Sequence, residues 1–126
     1  MRPPQNIDVL LLDDDKDICV MAKAMLSFAG YRVESLSLPG QLPQVMANFS
    51  PRMLLMDMLL SGTDGRDICR KLKLDPATSH IKIMMMSAHP DADRSCREAG
   101  ADEFISKPFD MDLFIAKVKT QLEESR

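Results

Sequence analysis

The sequence predicts one doubly wound α/β domain over residues 1–126, and three observations carry that expectation. Short apolar runs alternate five times with amphipathic stretches, the pattern of parallel strands joined by right-handed helical crossovers. Three of the runs, "IDVLLL" (7–12), "RMLLMD" (52–57) and "IKIMMMS" (81–87), are apolar with little alternation, as strands covered on both faces are. Turn residues punctuate the junctions, among them Gly30, Pro39-Gly40, Ser61-Gly62, Asp75-Pro76 and Gly100.

Taken in order, "IDVLLL" is a first strand by its aliphatic content, and it stops at Asp13-Asp14-Asp15. From Lys16 the period becomes helical, with Ile18, Met21/Ala22, Met25 and Ala29 on one face and Gly30 as the stop; Asp15 and Asp17 read as first-turn helix residues. "YRVESL" alternates as a second strand. Pro39-Gly40 opens a poorer helix carrying Leu42, Val45, Met46 and Phe49, ended near Ser50-Pro51. "RMLLMD" is the third strand, followed by a loop marked by Ser61-Gly62 and Asp64-Gly65. A helix with Ile68, Cys69 and Leu72 runs to Asp75-Pro76, and "IKIMMMS" is the fourth strand. Pro90 starts a helix whose inner face, Ala92, Cys96 and Ala99, is made of small residues. "EFIS" (103–106) is the fifth strand, and the last helix runs from about Asp110 with Phe114, Ile115, Val118 and Leu122 inward.

Composition narrows the function. The chain is 45% apolar and 28% charged, ordinary for a soluble globular protein, and its net charge of −3 argues against a nucleic-acid surface. Without Trp and with one Tyr, it has no stacking platform for single strands. Cys19, Cys69 and Cys96 are scattered and odd in number, so they read as reduced core thiols in a cytoplasmic protein. "MRPPQNIDV" has no apolar signal-peptide core, and no stretch approaches the roughly 20 apolar residues of a membrane span. The 11 methionines crowd the third and fourth strands and read as adaptable core filling.

One residue breaks the pattern. From Met53 to Leu60 every residue is Met or Leu except Asp57, and a carboxylate leaves water only if it is paired or binds a cation. In the flavodoxin-like strand order 2-1-3-4-5, ligands bind outside the carboxyl ends of the strands, where strands one and three meet. Asp13 and Asp14 end strand one, Asp57 strand three, Ser87 strand four and Lys107 strand five. Turn or cap chemistry explains each of them singly, but not their coincidence at one edge of one sheet. Three crowded carboxylates raise one another's pKa unless a cation compensates, and Mg²⁺ suits a loose oxygen site that also receives phosphate. Three negative charges set against Mg²⁺ and Lys107 leave a neutral pocket for a phosphoryl group. Asp57 is then placed as a carboxylate nucleophile, with Lys107 and Ser87 on the transferred oxygens.

These pieces, "VLLLDDDKDI", "LLMDMLLSGTDG", "IMMMSAH" and "GADEFISKPF", resemble the receiver domain of bacterial two-component response regulators over essentially the whole chain. The resemblance implies that Asp57 is the phosphoacceptor. It implies Mg²⁺ held by Asp14, Asp57 and the Leu59 carbonyl, with Asp13 acting largely through water. Ser87 matches the residue that moves onto the phosphoryl group, Lys107 the family's lysine before a cis proline, and Phe104 the aromatic switch that turns inward on phosphorylation. Two departures stand out. The family usually has Met-Pro where this chain has Leu60-Ser61, which removes a preset φ. Leu59 and His89 occupy the two variable positions flanking the pocket, and of these only His89 is able to orient water.

The expected function is a signalling switch rather than an enzyme with an external substrate. It takes phosphate from a histidine kinase or phosphotransfer protein, with output through the fourth helix, fifth strand and fifth helix to a partner or a homodimer. Three rivals fit less well. A histidine phosphocarrier needs its histidine on a helical bundle, whereas His80 and His89 lie in loops. A haloacid-dehalogenase-like phosphohydrolase would use Asp13-x-Asp15 and leave Asp57 unexplained. A flavodoxin-like electron carrier needs a phosphate loop of Ser, Thr and Gly where this chain has three acids.

Overall fold

The computed structural model describes residues 3–124. Five parallel strands form the sheet: β1 (Gln5–Leu12), β2 (Val33–Leu36), β3 (Phe49–Asp57), β4 (Lys82–Ser87) and β5 (Glu103–Ser106). Their spatial order is β2-β1-β3-β4-β5, which is the expected doubly wound, flavodoxin-like arrangement. The crossovers are α1 (Lys16–Phe28), α2 (Leu42–Asn48), α3 (Gly65–Leu74) and α4 (Ala92–Glu98), and α5 (Met111–Glu124) follows the last strand.

Side-chain alternation along the central strands splits the core in two. Leu10, Leu12, Leu54, Met56, Ile83 and Met85 pack on one face with Leu42, Cys69, Ala92 and Cys96 of α2, α3 and α4. Val9, Leu11, Met53, Leu55, Met84 and Met86 pack on the other with Ala22 and Leu26 of α1 and Phe114, Val118 and Leu122 of α5. Both faces are therefore dry, which is why these strands look uniformly apolar. Full burial of a side chain such as Phe114 or Leu122 is worth about 1.5–3 kcal/mol. The strand methionines are buried, as core filling requires, and burial pushes the Cys69 and Cys96 thiols up to about 11.

Several boundaries differ from the sequence expectation. β3 begins at Phe49, so Phe49, Ser50 and Pro51 are strand and not the end of α2. Pro51 lies opposite Ile7 of β1, at the start of β3, where β4 has not yet joined and the strand has a neighbour on one side. A 3₁₀ turn over Pro39–Gln41 precedes α2. Asp15 is the N-cap of α1, not a first-turn residue, and accepts the N–H groups of Asp17 and Ile18 at 3.0 and 3.3 Å. The segment after β3, expected as plain loop, folds into a two-residue antiparallel ribbon pairing Leu59 with Asp64 and Leu60 with Thr63. α4 starts at Ala92, two residues after Pro90, and buries the expected small residues Ala92 and Cys96. Among the described residues, no helix is long and apolar enough to cross a membrane.

Candidate phosphoacceptor site

The register brings the strand ends level. Leu12 of β1 lies beside Met56 of β3, Asp57 beside Met86 of β4, and Ser87 beside Ser106 of β5. The residues that close these strands therefore emerge along one edge. Asp13, Asp14 and Asp57 each offer an oxygen there, all within 4.8 Å of one another.

Asp13 is fully buried, and both its oxygens are occupied. Oδ1 accepts the Asp15 N–H at 2.9 Å, and Oδ2 accepts Nζ of Lys107 at 2.8 Å. The same Nζ lies 3.5 Å from Oδ2 of Asp57. Burial pushes the Asp57 carboxyl above its ordinary range. The Lys107 charge and a backbone hydrogen bond from Leu59 oppose the rise, and the Asp13 charge adds to it. Burial acts on Lys107 too, lowering its pKa, but the hydrogen bond and charge of Asp13, followed by those of Asp57, hold it above its ordinary value. Lys107-Pro108 is a cis peptide.

Asp14 is exposed at the crevice mouth. Its Oδ2 accepts the N–H of Ser61 at 3.2 Å and the Ser61 hydroxyl at 3.0 Å, and these two bonds hold its carboxyl below the usual range. The missing proline therefore does not leave the segment unconstrained, because Ser61 is fastened through groups a proline lacks. The Leu59 side chain is exposed, and its backbone is held by the pairing with Asp64.

Ser87 and Phe104 lie on β4 and β5. The Ser87 Oγ accepts the N–H of His89 at 3.0 Å within the β4–α4 turn, which leaves its own proton free to donate. Phe104 points inward, 5% exposed and packed in the core beneath α3 and α4. The Nδ1 of His89 accepts the Asp91 N–H at 3.3 Å.

Two residues matter here that the sequence read only as turn signals. Gly65 opens α3 directly behind Asp57, where a Cβ would lie 2.5 Å from the Asp57 carbonyl oxygen, so no larger residue fits without displacing that backbone. The "DG" dipeptide was visible as a turn, but the close approach is purely tertiary. Ser61, in sequence a turn residue where the family has proline, is the partner of Asp14.

Comparison with known proteins agrees with this geometry. The family model for the response regulator receiver domain matches residues 9–119. The chain is 33% identical over 119 residues to the phosphate regulon transcriptional regulatory protein PhoB of Pseudomonas aeruginosa, covering 93% of this chain and 52% of that protein. It thus spans about half the length of the curated relatives it matches. Among solved structures it is similar to the receiver domain of NtrX from Brucella abortus (27% identity, TM-score 0.84, 92% of this chain and 98% of that one). It is also similar to the signal receiver domain of a signal transduction histidine kinase from Syntrophus aciditrophicus (25% identity, TM-score 0.84, 94% and 91%). The carboxylate crevice at the switch point and the match over residues 9–119 lead to one assignment: this chain belongs to the response regulator receiver domain family of two-component systems.

Proposed function

We propose that this receiver accepts a phosphoryl group on Asp57 from the phosphohistidine of a histidine kinase or phosphotransfer protein. One observation carries the reading: three carboxylates converge at the switch point, and the half-buried cation of Lys107 bridges two of them. An Asp57 oxygen attacks phosphorus, the donor's P–N bond breaks, and the leaving imidazole keeps the electron pair and takes a proton from solvent. Lys107 neutralises charge on the transferred oxygens. Ser87, with its proton free, donates to one of them after transfer.

The donor set fits Mg²⁺, being all hard oxygens with more negative charge than Lys107 offsets. Asp14, Asp57 and the Leu59 carbonyl would hold the ion, with Asp13 reached through water because Lys107 and the Asp15 N–H already occupy its oxygens. When bound, Mg²⁺ supplies charge stabilisation at the phosphoryl oxygens.

The added charge of roughly −1.5 to −2 draws Ser87 off the His89 N–H and loosens the β4–α4 turn. Phe104 packs in the core beneath that same region, with Ala92 and Cys96 of α4. The output surface is α4, β5 and α5, where Arg97 and Lys117 both pair with Glu103 within the chain. It is offered to a protein partner or a second copy and not directly to nucleic acid. The test is labelling with acetyl phosphate and Mg²⁺. One phosphoryl group per chain on Asp57, lost in Asp57→Asn, is expected; label on Asp13 would favour the phosphohydrolase chemistry instead.

A further inference from the structure

Ser61 lies four residues beyond Asp57 and 47 beyond Asp14, yet it gives Asp14 two hydrogen bonds, both to Oδ2. Both sides of this contact sit on fixed backbone. On one side, Leu60 is buried in the core and pairs with Thr63, and Gly62, with φ +80°, takes the left-handed position that closes the two-residue turn. On the other, Asp14 follows Asp13, which Lys107 and the Asp15 N–H lock in place. The Asp14 carboxylate itself is exposed, and Ser61 is what restrains it. With Oδ2 taken by Ser61, Oδ1 is the oxygen left for a cation. A proline at this position has neither the N–H nor the hydroxyl, so neither bond would form.

We propose that Ser61 is a positioning residue for the cation site: it fixes the Asp14 carboxylate in advance, so that Mg²⁺ binding does not have to order an exposed side chain. The inference rests on the Mg²⁺ reading above. It makes Ser61 more than a substitute for a missing proline, because the restraint falls on a ligand side chain as well as on the loop.

The test is a Mg²⁺ titration followed by backbone amide shifts in the intact chain. Ser61→Ala removes the hydroxyl bond and keeps the N–H, and is expected to weaken Mg²⁺ about two- to fivefold, the range for loss of one modest hydrogen bond. Ser61→Thr keeps both donors and is expected to retain the affinity. In an Asp14→Asn background, Ser61→Ala is expected to change the affinity no further, which a general loosening of the loop would not reproduce. A second readout needs no metal. Coupling constants should show one dominant Asp14 χ1 rotamer in the wild type and averaging in Ser61→Ala. A normal wild-type Mg²⁺ response that Ser61→Ala leaves unchanged or strengthens overturns this proposal alone, as does an Asp14 rotamer already averaged in the wild type. Wild-type cluster amides that ignore Mg²⁺ overturn the Mg²⁺ reading and this proposal with it.

Discussion

Asp13 and Lys107, 94 residues apart in the chain, meet in a 2.8 Å ion pair whose carboxylate is entirely shielded from solvent. The contact ties the end of β1 to the residue after β5, across the whole width of the site. Removing the cation leaves a buried charge that keeps the Asp15 N–H but loses its ion pair. Lys107→Met is therefore expected to destabilise the fold by about 3 kcal/mol at neutral pH. Urea denaturation at pH 7 checks this, read as the shift of the unfolding midpoint between wild type and variant. An unchanged midpoint at pH 7 would mean the pair does not carry the fold.

Asp57→Asn should do the opposite. Because the folded pKa of Asp57 is raised, its ionised form works against the fold, fully above that pKa and less as pH falls through it toward the ordinary carboxylate value. Without Mg²⁺, the Asn variant is expected to be more stable than wild type at pH 7, with the advantage fading in acid. Thermal melts across pH 4.5–7.5 in chelator measure it, and an advantage that grows toward acid would contradict the raised pKa.

Gly65→Ala tests the packing behind the acceptor. The new Cβ falls 2.5 Å from the Asp57 carbonyl oxygen and 3.1 Å from that of Met58, so the strand end or the helix start must give way. A loss of about 1–3 kcal/mol is expected, as for overpacking in a dense core. Slower labelling of Asp57 by acetyl phosphate should accompany it. Wild-type stability together with wild-type labelling would show that the β3–α3 junction yields freely.

Phe104→Ala should cost about 3–5 kcal/mol, because the ring is packed inward in the core. A cost below about 1 kcal/mol would show that the ring spends most of its time outside. Hydrogen exchange with beryllofluoride then locates the response. Protection changes are expected over residues 87–109, where Ser87 leaves the His89 N–H; changes confined to α1 would count against the proposed route.

The sequence by itself determined the alternation of five strands and five helices, the doubly covered sheet, and the residues at each strand's carboxyl end. These follow from local periodicity and from the rule that parallel strands connect by one-handed crossovers, so Asp13, Asp14, Asp57, Ser87 and Lys107 were legible as a group. What happens between segments distant in the chain was not legible. The start of β3 at Phe49 depends on pairing with Gln5 of β1, and no local signal overrides the stop that Pro51 suggests to a reader of helices. The ribbon exists because Leu60 finds the core, and only then does Ser61 meet Asp14. Gly65 reads as half of a turn until α3 lies against the Asp57 carbonyl. Phe104 could be named from the family resemblance, but its inward position is a fact of packing beneath small residues of α4. Spacing along the chain tells which groups reach the same edge; which of their lone pairs and protons are already taken is decided only when that edge is assembled.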